Sequence, residues 1–407
     1  DGVKFISQAI KKGAKYIVTS KNIQSYKKKI IKVNNEIKFL NRFAVEKRNL
    51  SKSKICAVTG SAGKTSLKNL LKSLLQNYGE TLSSPKSYNN HFGVPLSLSQ
   101  LKPIYKYAIF EVGMSKAGEI NSLSKLIKPD IGIITNIGEA HIENFKDLNG
   151  IAKAKGEIVN NIKKNGVLII NRDDRFFNYF KKKGKQRNLN IISFGKNKKS
   201  DVFPISILKN KKKFLFKIKV INKIFTIENV KINIYNILAA LSVLKVLNLD
   251  LRKIVNYIRY YEPTEGRGKI YKIKRYKKSF KLIDESYNAN PLSVKNAINN
   301  FNSIKKNGFK KYLLLGDMLE LGKKSELLHR NLAKNINSSD IDKVFIKGNK
   351  AMDTFKAILK DKRGNIFQQD EDVDFTFNNI IANDDYLMIK GSNATGLNKL
   401  TKRMIKG

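Results

Sequence analysis

Thr59-Gly60-Ser61-Ala62-Gly63-Lys64-Thr65-Ser66 stands between an apolar run and an amphipathic pattern, and its reading decides the fold. Upstream, Ile55-Cys56-Ala57-Val58 reads as a buried strand. Downstream, Leu67, Leu70, Leu71, Leu74, Leu75 and Tyr78 recur at helical spacing, with Gly79 as the expected stop. Strand, glycine turn and helix are the context of a phosphate-binding loop. Glycines let backbone N–H groups converge on phosphate oxygens, the helix N-terminus adds partial positive charge, Lys64 reaches terminal phosphates, and the Thr65 hydroxyl suits Mg2+. The loop is a shortened variant, because the common spacing would put glycine where Val58 stands.

Outward from the loop, apolar runs predict further strands at 107–112, 131–137 and 167–171, with helical patterns between them, so a largely parallel sheet is expected. Residues 202–228 alternate like an antiparallel meander with a turn at Lys209-Asn210-Lys211. A helix through Asn236, Ala239, Ala240, Val243 and Leu247 closes this unit. The Pro/Gly-rich stretch at 262–268 reads as a linker. Beyond it, strands at 280–284, 312–315, 343–346 and 386–389 alternate with helices, but no Gly-x-Gly-x-x-Gly turn marks a dinucleotide site. The start of the chain, a helical pattern and a short strand at 16–19, reads as the end of a small α/β domain whose beginning is absent. The expected organisation is α/β in three parts: 1–52, 53–262 and 263–407.

No apolar run approaches the roughly 20 residues of a membrane span, and no secretory signal pattern opens the chain, so a cytoplasmic protein is expected. The single cysteine, Cys56, falls in the buried strand and offers no disulfide or clustered metal site. The net charge of +47 would suit nucleic acid, yet the lysines are dispersed along the chain. Clusters such as Lys27-Lys28-Lys29, Lys181-Lys182-Lys183 and Lys211-Lys212-Lys213 are expected at helix ends or turns as solvated faces, and specific nucleic-acid binding is not expected.

Ligands gather at the carboxyl ends of parallel strands, so polar residues following apolar runs carry weight. Glu111 ends one run and is a natural Mg2+ ligand beside the loop. His141 follows another, although imidazole is not a preferred ligand of so hard a cation. Lys155 lies four after Ile151, three before Ile158 and four before Val159, which puts it on the apolar face of a helix. An inward lysine must be paired, neutral or chemically altered, unless its stem snorkels and its ammonium reaches water; spacing leaves both readings open. In Asp284-Glu-Ser-Tyr-Asn-Ala-Asn-Pro291, Asn290 and Pro291 read as the N-cap and first residue of a helix, while Asp284, Tyr287 and Asn288 suggest a ligand-facing loop. Similar loops hold Asp317 and Ser392.

Taken in order, these segments resemble the Mur ligases, the ATP-dependent amide-forming enzymes of peptidoglycan precursor synthesis. The resemblance rests on residues 59–65, Asn89-Asn-His-Phe-Gly-Val-Pro-Leu96, Glu111-Val-Gly-Met-Ser115, Thr135-Asn-Ile-Gly-Glu-Ala-His141, Ile151-Ala-Lys-Ala-Lys-Gly-Glu157, residues 284–291 and Gly316-Asp-Met-Leu-Glu-Leu-Gly322. The last two segments point to the dipeptide-adding member. The resemblance implies an N-terminal UDP-binding domain, a central ATPase and a C-terminal Rossmann-like domain. It implies UDP-N-acetylmuramoyl-tripeptide and D-alanyl-D-alanine as substrates, and a monomer is expected. It also implies that Gly60, Ser61, Ala62, Gly63, Lys64, Thr65, Ser66, Asn236, Arg267 and Asp284 serve ATP, with Lys64, His141 and Lys155 catalytic. Thr65, Glu111, His141 and a carbamylated Lys155 would hold Mg2+; Asn89, Asn90, Tyr287, Asn288, Asn290, Asp317 and Ser392 would meet substrate. Two departures are visible: Ile232 stands where the family usually has histidine before Asn233, and Asn393 replaces the arginine of the usual Lys-Gly-Ser-Arg ending. The rivals are related ligases adding a single amino acid or glutamate and, from another class, a non-catalytic nucleic-acid binder suggested by charge alone.

Overall fold

The computed structural model describes residues 2–210, 213–228 and 232–406. Near the start, strands β1 (Ile17–Thr19) and β2 (Ile30–Lys32) pair in parallel, and the helix Glu36–Leu50 follows. That helix is tied to the next unit by Arg48, which is buried and donates from Nε to Ile127 O at 2.7 Å and from Nη2 to Lys128 O at 2.8 Å. A guanidinium is well suited to satisfying the last carbonyls of a helix, here Glu119–Ile127.

The central unit contains β3 (Lys54–Thr59), β4 (Thr81–Ser83), β5 (Tyr107–Glu111), β6 (Ile131–Ile134), β7 (Val167–Asn171), β8 (Asn190–Phe194), β9 (Val202–Asn210), β10 (Lys213–Val220) and β11 (Lys223–Glu228). Among the described residues they form one sheet in the order β11-β10-β9-β8-β7-β6-β3-β5-β4. It is parallel from β4 to β9 and antiparallel across the β9-β10-β11 meander. The expected turn at Lys209-Asn210-Lys211 includes Lys211, which lies outside the described residues, as does Lys212 of its lysine cluster. Lys181-Lys182-Lys183 sits inside the helix Phe177–Gln186 rather than at its end. Lys181 is held there by the Phe177 ring, 5.9 Å from its ammonium.

Because successive side chains of a strand point to opposite faces, β3 feeds two cores. Cys56 and Val58 pack with Leu67, Leu71 and Leu74 of the helix Lys64–Leu75 and with the almost wholly apolar helix Ile234–Val246. Ile55 and Ala57 join the opposite cluster, which includes Ile151 and Ile158 and runs on into Ile283, Ala289 and Met388 of the C-terminal unit. Strands buried on both faces need no polar alternation, hence the continuous apolar runs.

The C-terminal unit contains β12 (Lys269–Arg275), β13 (Lys278–Glu285), β14 (Lys311–Gly316), β15 (Lys343–Lys347), β16 (Arg363–Ile366) and β17 (Tyr386–Lys390), in the order β12-β13-β17-β14-β15-β16. Only β12 runs antiparallel to its neighbour among the described strands. The carboxyl ends of β13, β14 and β17 lead into the loops at 286–290, 317–321 and 391–396. Among the described residues, no helix is long and apolar enough to cross a membrane.

Candidate active site

Gly60 leaves β3 with φ +144°, and a Cβ there would fall 1.9 Å from Thr135 Oγ1, so the turn admits only glycine. β6 was expected to reach 137 but ends at Ile134, because the following residues turn to hold the loop. Ser61 N donates to Asn136 O at 2.9 Å, Ala62 N to Asn136 Oδ1 at 2.8 Å, and Thr135 Oγ1 to Ala62 O at 2.7 Å. Gly63, at φ +84°, leads directly into the helix Lys64–Leu75, whose first amides lack intrahelical acceptors and so form an anion seat. The helix ends at Leu75, ahead of the expected stop at Gly79. Lys64 arches back over the turn, donating from Nζ to Gly60 O at 2.7 Å. Burial lowers its pKa; the Glu111 charge opposes that shift and Arg267 adds to it.

Glu111 is buried at the end of β5, with Oε2 accepting from Thr65 Oγ1 at 2.7 Å and Oε1 from Asn89 Nδ2 at 2.7 Å. Thr65 and Glu111 are hard oxygen donors, the kind Mg2+ takes when substrate phosphates complete its shell. Behind them Lys68, buried one turn after Lys64, donates from Nζ to Ser84 O at 2.6 Å and to Lys86 O. Burial takes its pKa down to about 8, leaving it cationic at neutral pH. It pins the strap that presents Ser87, whose Oγ lies 3.4 Å from Thr65 Oγ1. Lys68→Met removes the donor to both carbonyls and is expected to cost about 1–3 kcal/mol in urea unfolding.

Lys155 is the last residue of the helix Leu148–Lys155 and is buried, lining the same cavity as Lys64 and Glu111. Among the described residues its Nζ has no hydrogen-bond partner. Burial first, then the charge of Lys64, hold its pKa well below the ordinary lysine range. This removes the snorkelling alternative. His141 lines the same cavity as Glu111 and places Nδ1 2.6 Å from Glu320 Oε2 of the C-terminal unit. Hydrogen bonding to His141 lowers the Glu320 pKa. The two loops also meet through Glu143 N and Glu320 O at 3.3 Å. Among the described residues, no group of three or more His, Cys, Asp or Glu side chains is arranged to hold a metal ion.

The C-terminal unit covers the loop. Arg267 stacks on Tyr287, 4.3 Å from the ring centre, and Nη2 lies 3.4 Å from Ser87 Oγ. Asp284 was expected to reach the nucleotide. It is buried away from the cavity, accepting Gly266 N at 2.7 Å, Ser286 N at 3.1 Å and Ser286 Oγ at 2.6 Å. Its carboxylate therefore builds the turn that carries Arg267. Lys390 does the same for the next loop, donating to Asn288 O at 2.6 Å. The cleft between the units, about 2140 Å³, is lined from Lys64 to Asn288.

A family model described as "Mur ligase middle domain" matches residues 58–244, and one described as "Mur ligase, glutamate ligase domain" matches residues 268–393. The UDP-N-acetylmuramoyl-tripeptide–D-alanyl-D-alanine ligase of Rickettsia prowazekii is 33% identical over 405 residues, covering 98% of this chain and 89% of that protein. The chain belongs to the Mur ligase family. A MurF crystal structure from Acinetobacter baumannii, 27% identical, superposes with a TM-score of 0.87 over 99% of this chain and 88% of that one. A Thermotoga maritima MurF ligase in complex with ADP shares the fold, with a TM-score of 0.85 at 24% identity over 100% of this chain and 92% of that one.

In this Mur ligase Ser61, Ala62, Gly63, Lys64, Thr65, Ser66, Asn89, Asn90, Glu111, His141, Lys155, Asn236, Arg267, Tyr287, Asn288 and Asn290 line one cavity. Asp317 and Ser392 were expected to meet substrate but lie behind it. Asp317 accepts Ala351 N at 2.8 Å, while Ser392 Oγ accepts Leu319 N at 3.1 Å and donates to Ala289 O at 3.3 Å. Asn393 accepts from Asn398 Nδ2 at 2.5 Å, away from the cavity. Ile232 does line it, next to Asn233, which caps the helix Ile234–Val246. The sequence reading passed over Lys68 and Tyr235. Lys68 lies three before Leu71 on the apolar stripe, the same signal that singled out Lys155. Tyr235, under the Lys196 ammonium at 5.5 Å, carries a pKa pushed up to about 12 by burial and by Asp173.

Proposed function

We propose that this chain joins the amine of D-alanyl-D-alanine to the free carboxylate of UDP-N-acetylmuramoyl-tripeptide, coupled to ATP cleavage, in peptidoglycan precursor synthesis. The observation that carries this reading is a phosphate loop and the Arg267-Tyr287 pair facing one cavity, in a chain aligned nearly end to end with ligases of that name.

The substrate carboxylate attacks the γ-phosphorus of ATP; the bond to the β–γ bridging oxygen breaks and ADP leaves with that electron pair. The amine, having lost its ammonium proton, attacks the acyl phosphate, and the tetrahedral intermediate expels phosphate. Charge accumulates on phosphoryl oxygens, so fixed cations supply much of the rate. Lys64 and Arg267 are those cations, approaching from opposite units. Tyr287 holds the guanidinium plane, 4.3 Å from its ring centre.

Thr65, Glu111, His141 and a carbamate on Lys155 would hold Mg2+, which would neutralise phosphate charge when bound. Glu320 Oε2 lies 2.6 Å from Nδ1 of His141, where a carboxylate favours the Nδ1-protonated tautomer of a ligating imidazole. A neutral Lys155 Nζ adds to CO2 and releases a proton, leaving the anionic carbamate. The reading needs one copy of the chain, acting in the cytoplasm.

The test is ADP release across a panel of amine donors and UDP-muramoyl peptides. ADP is expected only with a UDP-muramoyl tripeptide and D-alanyl-D-alanine together. Equal or greater turnover with a single amino acid or glutamate on a shorter acceptor would overturn the assignment.

A further inference from the structure

Asn290 was expected to meet substrate, yet hydrogen bonds inside the protein engage both ends of its amide. Oδ1 accepts Ser293 N at 2.9 Å, and Ser293 Oγ accepts Asn290 N at 2.9 Å, a reciprocal capping box on the helix Pro291–Asn302. Nδ2 leaves its own unit altogether and donates to Ser61 O in the phosphate loop at 3.1 Å. A cap needs only the acceptor, which Ser, Thr or Asp supplies as well, so the donor end is surplus to capping.

What the donor reaches is a junction. Ser61 N is held by Asn136 O at 2.9 Å, and Ser61 Oγ exchanges hydrogen bonds with Gly138, donating to O at 2.9 Å and accepting from N at 2.8 Å. Its carbonyl is taken by Asn290. Gly138 itself lies flat under Leu292, where a Cβ would come within 3.0 Å of the leucine methyl. The first turn of one unit's helix is thus seated on the shoulder of the other unit's phosphate loop.

We infer that Asn290 is a positioning residue that latches the C-terminal unit to the phosphate loop, so that Arg267 and Tyr287 come over the nucleotide only when Ser61 has its loop conformation. The inference rests on the ligase reading for its catalytic consequence, but the latch itself is a contact between two units and is open to independent measurement. A latch acts on closure and therefore on kcat, whereas a substrate contact acts on the KM of the dipeptide.

Asn290→Asp keeps the cap and turns the donor into an acceptor facing Ser61 O. Asn290→Ser keeps a capping hydroxyl on a side chain too short to reach, without adding charge. Both variants are expected to melt close to the wild type, to lose about tenfold in kcat for ADP release, and to change the KM for D-alanyl-D-alanine less than about twofold. Small-angle scattering with a non-hydrolysable ATP analogue is expected to give a larger radius of gyration for both variants than for the wild type. Wild-type kcat and compactness in either variant, or a loss confined to the dipeptide KM, would overturn the latch. A wild-type enzyme that releases no ADP would instead defeat the ligase reading, with the scattering comparison still testing the latch.

Discussion

Lys64→Ala is expected to lower the rate of ADP release at least about a hundredfold while leaving the melting temperature equal to or above that of the wild type. The loss follows from position. Lys64 is the first residue of the helix that the glycine turn feeds, and its ammonium is folded over the turn onto Gly60 O. Removing a preorganised cation from the place where phosphoryl charge develops takes away stabilisation made chiefly in the transition state, so kcat falls with the specificity constant. The unchanged or improved stability follows from the partial burial of the ammonium. The lowered pKa of Lys64 records that the fold disfavours its charge, which offsets the loss of its hydrogen bond to Gly60 O. A variant equally stable and nearly as active would remove the phosphate loop from the mechanism. One both inactive and unfolded would contradict the claim that this lysine is held against the interest of the fold. Steady-state ADP release and a thermal melt on the same preparation decide between these outcomes.

Much of this site was legible because local periodicity is a statement about side-chain direction. The stripe from Leu67 to Leu75 located the helix behind the loop, and the spacing from Ile151 to Val159 turned Lys155 inward, where it lies. Short or mixed strands carry no such signal: β4 spans only Thr81–Ser83, and β16 interrupts its alternation with glycine and asparagine. The larger surprises concern partners. Asp284 and Asp317 follow strands, as ligand-binding carboxylates do, but a strand-end carboxylate serves equally to accept the amides of its own loops. His141 with Glu320 and Asn290 with Ser61 join residues far apart in the chain, so their pairing depends on how the two sheets face each other. Periodicity does not encode that relation.

Lys155→Ala is expected to reduce ADP release by about a hundredfold or more and to recover part of it when formate, acetate or propionate is added. Among the described residues the buried Lys155 Nζ has no hydrogen-bond partner. A buried ammonium with no counter-ion among the described residues, beside a second lysine, is costly enough that the group is expected to give up its proton. A neutral buried amine is also the nucleophile that CO2 requires, and the resulting carbamate reverses the sign of the site from cation to anion. The pH dependence follows. Carbamate formation consumes neutral amine and releases a proton, so activity is expected to fall as pH falls, with the depressed Lys155 pKa moving that limit below the ordinary lysine range. In the unmodified protein the folded state binds fewer protons at this site than the unfolded chain, so its contribution to stability rises with pH toward the ordinary lysine value, and Lys155→Ala removes that slope. Alanine leaves a space where a small carboxylate can replace the anion without the covalent bond, which is why short acids should rescue and amines should not. The modification itself is read by carbon-13 NMR of enzyme equilibrated with labelled bicarbonate, where a carbamate resonance is expected in the wild type and absent from the variant. Full activity in Lys155→Ala, or rescue by neutral amides as effective as rescue by acids, would mean that this lysine contributes no anion to the reaction.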